Sequence, residues 1–221
     1  GTHKSPVNTN SVDWSDRWNS VKDQGECGSS WAFTATAAFE SRLALSKGDK
    51  KIDTSFSEQE LIDCDAKSKG CESGWVDHAF EYLQDHSFCT GEEYPYTGKE
   101  EQCQYSKSKC SGPNDNTYTD ISKGDEDALL KELENGPIAI NVGASFWQFY
   151  EGGVIDYCGS RVNLSLTLVG HNPDEGWAKL RNSWGSDWGE DGHIRINTGE
   201  NLCGYANYAS YINYIKLTKF E

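Results

Sequence analysis

Eight cysteines and five histidines are the side chains with which this chain of 221 residues could do nucleophilic, redox or metal chemistry. No two cysteines stand in a Cys-x-x-Cys pair, and no His-x-x-x-His partner accompanies them. Zinc is therefore not expected, and nothing implies another metal or a cofactor. An even number of cysteines without metal spacing reads as four disulfides in a secreted, lysosomal or vacuolar protein. The histidines, His3, His78, His86, His171 and His193, are scattered and read as surface or packed residues. Ser30 follows Gly28-Ser29 at the start of an apolar run, where a hydroxyl acts as a nucleophile only if a base takes its proton.

The elements that must position these groups change character halfway along the chain. Trp31, Ala35, Ala38, Phe39, Arg42 and Leu43 recur at helical spacing, and Lys47-Gly48 supplies a stop. Ser57 and Glu60 form a capping-box pattern opening a helix over Glu58 to Cys64. Trp75, Ala79, Phe80 and Leu83 mark a third helix, and a short fourth runs from Glu126 to Glu134 before Asn135-Gly136-Pro137. Beyond it come strand-like runs at Ile138 to Val142, Leu166 to Val169, Trp177 to Leu180, His193 to Ile196 and Tyr211 to Leu217. The fold class is α+β, a helical amino-terminal half and a β-rich carboxy-terminal half with a groove between two lobes. The lobes are expected to meet near Ser111 to Tyr118, where Ser, Gly, Pro, Asn and Asp cluster.

Charge narrows the partners. Thirty-five acidic residues against 20 basic ones give a net charge of −15, which repels nucleic acid and anionic membranes. No apolar run is long enough for a membrane span. The polar opening, Gly1 to Asn10, reads as the start of a mature chain after removal of signal and pro-segments.

Four blocks carry a family resemblance. Gln24-Gly25-Glu26-Cys27-Gly28-Ser29-Ser30-Trp31-Ala32-Phe33 resembles the active-site signature of papain and the cathepsins, Q-G-x-C-G-S-C-W-A-F. Ser57 to Cys64 and Gly70-Cys71-Glu72-Ser73-Gly74 resemble S-E-Q-E-L-x-D-C and G-C-x-G-G, and Tyr94-Pro95-Tyr96 matches Y-P-Y. Arg181-Asn182-Ser183-Trp184-Gly185, continuing to Trp188-Gly189-Glu190-Asp191-Gly192, resembles K-N-S-W-G-x-x-W-G-E-x-G. The match runs in order through nearly the whole chain, so the resemblance implies one papain-like domain over 1–221. Its helical lobe would span about 12–115 and a β-barrel-like lobe 116–221, with the amino-terminal arm crossing to the β lobe.

The resemblance also implies roles. Disulfides would join Cys27 to Cys71, Cys64 to Cys103 and Cys158 to Cys203. Cys89 and Cys110 remain, either as a fourth pair or as two free thiols. Gln24 would be the oxyanion donor, Asn182 the residue orienting a histidine, and Trp184 the ring shielding that bond. Trp188 would floor the leaving-group side of the cleft. Trp75, Asn141, Ser165 and Tyr208 would line the pocket for the peptide side chain one position before the residue at the scissile bond. Ser73, beside Gly74, replaces a glycine that lets substrate backbone approach.

The two reactive positions depart from the family. Ser30 stands where the nucleophilic cysteine belongs and Leu164 where the histidine belongs. Leucine offers no base. Asn163-Leu164-Ser165 is also a glycosylation sequon at that point. The reading that follows is a proteolytically inactive relative acting by binding, as an inhibitor decoy, a peptide binder or a regulator, and monomeric. Its partner would be a protein protease inhibitor or a peptide. A secreted structural or storage protein is one alternative. An active cysteine endopeptidase is the other, if Ser30 is an engineered replacement of cysteine.

Overall fold

A computed structural model describes residues 8–216 except 19 and 108, so His3 and Leu217 lie outside the described residues. The central element is α1 (Ser30–Lys47), which ends at Gly48 in the left-handed conformation, φ 76°. It is buried almost all round, Thr34, Thr36, Glu40 and Ser41 included, because it is covered on several faces. The helices α2 (Glu58–Cys64) and α3 (Val76–Asp85) pack on one side of it. The strands pack on the other, with Ala139 and Ile212 in the same apolar cluster as Phe39 and Leu43.

Ser57 caps α2 by accepting from the Glu60 N–H at 3.0 Å. The reciprocal half of the expected capping box does not form. The Ser57 N–H donates to the Cys89 carbonyl instead, and the Glu60 carboxylate accepts from Cys89 N at 2.7 Å and Tyr82 Oη at 3.1 Å. Burial outweighs those bonds and pushes the Glu60 carboxyl up to about 7.

The β lobe is built from β1 (Val12–Asp13), β2 (Asn116–Asp120), β3 (Ile138–Val142), β4 (Val154–Ile155), β5 (Leu164–Asn172), β6 (Trp177–Arg181), β7 (His193–Asn197) and β8 (Ala209–Ile215). Their order is β2-β8-β3-β5-β6-β7-β4, with β1 pairing β5 off that path. The sheet is not closed into a barrel, which corrects the barrel-like expectation: β2 and β4 are its two ends. The final stretch of the segment expected to link the lobes, from Asn116, is edge strand paired with β8. The short helix α4 (Glu126–Leu133) covers the apolar face through Leu129, Leu130 and Leu133.

Two ties hold the halves together at the back. Arg42 of α1 donates to Glu132 at 3.1 Å and to the Gly136 carbonyl at 3.2 Å, pinning the turn between α4 and β3. Thr9, Asn10 and Ser11 bond to His171 and Glu134, and Val12 registers with His171. All eight cysteines are paired as Cys27–Cys71, Cys64–Cys103, Cys89–Cys110 and Cys158–Cys203, with no free thiol. Among the described residues no helix is long and apolar enough to cross a membrane.

Candidate active-site groove

Ser30 is the first residue of α1, where helix geometry leaves backbone N–H groups without intrahelical acceptors. Close packing fixes this turn. A Cβ added at Gly28 would lie 2.4 Å from the Cys71 carbonyl oxygen, which already accepts the Gly28 N–H at 2.8 Å. One added at Gly74 would lie 2.3 Å from the Trp31 indole. Only glycine fits at either contact, and the adjacent Cys27–Cys71 bridge joins the same two segments.

The β lobe meets Ser30 through the start of β5. Ser30 Oγ accepts the Ser165 N–H at 3.1 Å, so the hydroxyl sits against the segment that carries Leu164. Leu164 is 7% exposed and belongs to the apolar core of the β lobe, opposite Val142 in register. The Ser165 hydroxyl donates to Asn141 Oδ1 at 2.6 Å, and Tyr208 lies beside Asn141. Ser30, Leu164, Ser165, Asn141 and Tyr208 therefore form one contiguous patch, which Trp75 joins through its ring contact with Tyr208. Ser73 is exposed on the preceding turn, its carbonyl accepting from Lys69 N at 2.8 Å.

A second group assembles by backbone pairing. Gln24 N donates to the Ser183 carbonyl at 2.9 Å and Gly185 N to the Lys22 carbonyl at 3.0 Å, which brings Gln24 beside Asn182 to Trp184. The Gln24 amide is held at both ends, Nε2 donating to the Cys27 carbonyl at 3.0 Å and Oε1 accepting from Ser183 Oγ at 2.6 Å. The Asn182 Oδ1 accepts from Ser183 N at 2.8 Å, while its buried Nδ2 has no partner among the described residues. An unsatisfied buried donor costs roughly 1–3 kcal/mol. Trp184 meets Trp188 edge to face at 5.0 Å, and Trp188 Nε1 donates to the Trp147 carbonyl at 2.9 Å.

Behind this group lies a small polar interior. Lys22 bonds Glu58 at 2.5 Å and Glu40 at 3.3 Å, and Arg181 donates to the Ser20 carbonyl at 2.6 Å with its guanidinium over Trp18. Burial draws the Lys22 ammonium down, yet the two carboxylates hold it above its ordinary value. Burial raises Glu58 in turn, against the pull of Lys22.

The described histidines are engaged elsewhere or stand on α3. His171 meets Thr9 near the far end of β5, and His86 stacks on Tyr82 at 4.0 Å. His193 Nδ1 pairs with the Asp191 carbonyl at 2.9 Å, and burial depresses its pKa to about 4. His78 lies on α3. Asn163, the sequon residue, clamps Ala144: Nδ2 donates to its carbonyl and Oδ1 accepts from its N–H, both at 2.8 Å. Two residues beside Gln24 carry contacts that their motifs did not announce. Tyr96 donates to the Gln24 carbonyl at 2.5 Å, and Ser183 locks the Gln24 amide. Both lie inside the family blocks, so the signal was present without an assigned role.

Residues 8–213 match the family model "Papain family cysteine protease". Cathepsin L 2 of Paramecium tetraurelia is 40% identical over 201 residues, covering 87% of this chain and 61% of that protein. Vignain of Ricinus communis is 40% identical over 210 residues, covering 89% of this chain and 58% of that protein. The digestive procathepsin L 3 of Tenebrio molitor larval midgut superposes with a TM-score of 0.84 at 38% identity, over 96% of this chain and 72% of that one. The Carica candamarcensis cysteine protease CMS1MS2, solved in complex with E-64, gives 0.82 at 31% identity, over 94% and 98%. This chain belongs to the papain family of cysteine proteases. It spans about three fifths of the length of the cathepsin L and vignain relatives it matches.

Proposed function

We propose that this chain is a proteolytically inactive papain relative that acts by binding in its groove. The observation that carries this reading is the pair at the reactive positions: the Ser30 hydroxyl faces the β5 segment that holds a core leucine, not an imidazole. Cysteine proteases of this kind need a thiolate stabilised by an imidazolium. A serine hydroxyl, with a far higher pKa, needs a base even more, and Leu164 cannot accept a proton. In serine hydrolases the loss of a nucleophile–base system costs on the order of 10⁶ in turnover, roughly 8 kcal/mol of barrier. The unpartnered Nδ2 of Asn182 supports the same reading, because a polar framework persists around a position that no longer uses it.

Binding is favoured over a storage role by what is kept. Gln24, Gly74, Asn182, Trp184 and Trp188 retain the family's groove, and a storage protein has no need of it. The partner is a peptide or a wedge-shaped, cystatin-like protein inhibitor, which reads the shape of the groove more than its nucleophile. Four disulfides support an oxidising compartment, secreted or lysosome-like. Within this reading Asn163 clamps Ala144 and, being exposed, stays the candidate glycosylation residue.

Fluorogenic dipeptides and protein substrates from pH 4 to 8 test the first half, with no turnover above buffer expected. Stoichiometric labelling of Ser30 by an epoxide or fluorophosphonate probe would defeat it. Calorimetry with a cystatin-like inhibitor tests the second half. Measurable heat is expected, and silence at high micromolar concentration would favour a structural role.

A further inference from the structure

Trp75 and Tyr208 come from opposite lobes, one immediately before α3 and the other immediately before β8. In the structure they touch, with ring centroids 5.5 Å apart and planes inclined at 55°. Both partners are anchored from behind. The Tyr208 carbonyl accepts from Asn141 N at 3.0 Å and from Asn141 Nδ2 at 3.4 Å. The Lys123 ammonium stands 5.3 Å from the centroid of the Tyr208 ring, within cation–π range. Trp75 follows Gly74, which is pressed against the Trp31 indole, and its carbonyl accepts from Ala79 N at 3.3 Å.

The residues beneath the aromatic pair are covered. Asn141 is 8% exposed and Ser165 5% exposed, and the 2.6 Å bond between their side chains leaves each facing the other. Walls in ring contact over a floor this deeply buried leave no room for a branched or aromatic side chain. Inserting one would part the rings and press apolar atoms against a buried hydroxyl and carboxamide already bonded to each other. Glycine or alanine would pass over the closed rings without disturbing them.

We propose that the Trp75–Tyr208 contact closes this pocket, so that the groove takes an extended peptide with glycine or alanine at this position and rejects leucine or phenylalanine. The ligand class rests on the groove being a binding site; the closure itself does not. Losing one aromatic contact corresponds to about a tenfold change in binding.

Two measurements separate these claims. Fluorescein-labelled hexapeptide pools, randomised except for one fixed residue, would be titrated by fluorescence polarisation against the wild-type chain and Tyr208→Ala. At one position the wild-type chain should favour glycine or alanine over leucine about tenfold, and Tyr208→Ala should abolish or reverse that preference at that position only. A wild-type preference for leucine or phenylalanine there, or an identical preference in the variant, overturns the proposal. The second measurement needs no ligand. With 5-fluorotryptophan incorporated, the Trp75 fluorine resonance is assigned by its loss in Trp75→Phe. It should shift in Tyr208→Ala as the neighbouring ring current disappears; an unmoved resonance overturns the closure. If that resonance shifts but no pool binds either protein, the closure stands, and the groove reading falls together with the ligand class.

Discussion

A leucine among core residues and a glutamate without a cation are the two side chains whose surroundings decide most at the scale of single residues. Leu164 packs with Val142 and Leu166, so Leu164→Ala should cost about 2–4 kcal/mol in denaturant unfolding, as a large-to-small change in a core does. A cost below about 1 kcal/mol would mean that the leucine is not integral to the core. Glu60 is fully buried, with a folded pKa of about 7 against an ordinary 4.5. A carboxyl raised in this way stabilises the fold fully below its unfolded pKa, and that stability is lost as pH rises through the folded value. The window is therefore pH 4.5 to 7, and the raised pKa corresponds to about 3 kcal/mol across it. Thermal unfolding from pH 4.5 to 7.5 should show the wild-type chain losing stability relative to Glu60→Gln as pH rises. Parallel curves would refute the assignment. The motif Ser57-x-x-Glu60 reads alike whether the glutamate turns back on its own helix or reaches across to Cys89. That is why the sequence pointed to the wrong partner.

At the scale of elements, what carries its own signal was legible. The first helix was visible from its apolar spacing and its Gly48 stop, and the second from Ser57, whose cap is real. Ser57→Ala should lower stability by about 1 kcal/mol through loss of that bond, measured by chemical denaturation. The strands β3, β6 and β7 were legible because their apolar runs are bounded by turn residues. The two-residue strands β1 and β4 were not, since two residues hold no periodicity. Residues 116–118, Asn-Thr-Tyr, fell within the stretch read as the junction of the lobes because an edge strand needs no apolar face of its own; the pairing of β2 with β8 comes from the sheet. The contact of Trp75 with Tyr208 lay beyond sequence reasoning for a related reason. Each was recognisable as a pocket residue, but only the relative placement of two lobes brings the rings together.

For the whole molecule, the chain has the papain-family fold and four bridges, and the proposed function sets an altered reactive pair within that frame. No thiol should react with a thiol reagent under denaturing, non-reducing conditions, because every cysteine is paired. Two reactive thiols would show that Cys89 and Cys110 are unlinked in solution. The central claim, that activity was lost at two positions acting as one unit on an intact framework, is tested most directly by restoring them. Ser30→Cys, Leu164→His and the double variant would be compared by iodoacetamide labelling at pH 5, with circular dichroism to verify folding. In Ser30→Cys only the helix start lowers the thiol pKa from about 8.5, and modestly, so labelling at pH 5 should be slow. The double variant regains a thiolate–imidazolium pair beside Gln24 and Asn182. It should label markedly faster at that pH and show weak peptidase activity that neither single variant has. A folded double variant that labels no faster than Ser30→Cys would contradict the account, because the framework itself would then have drifted.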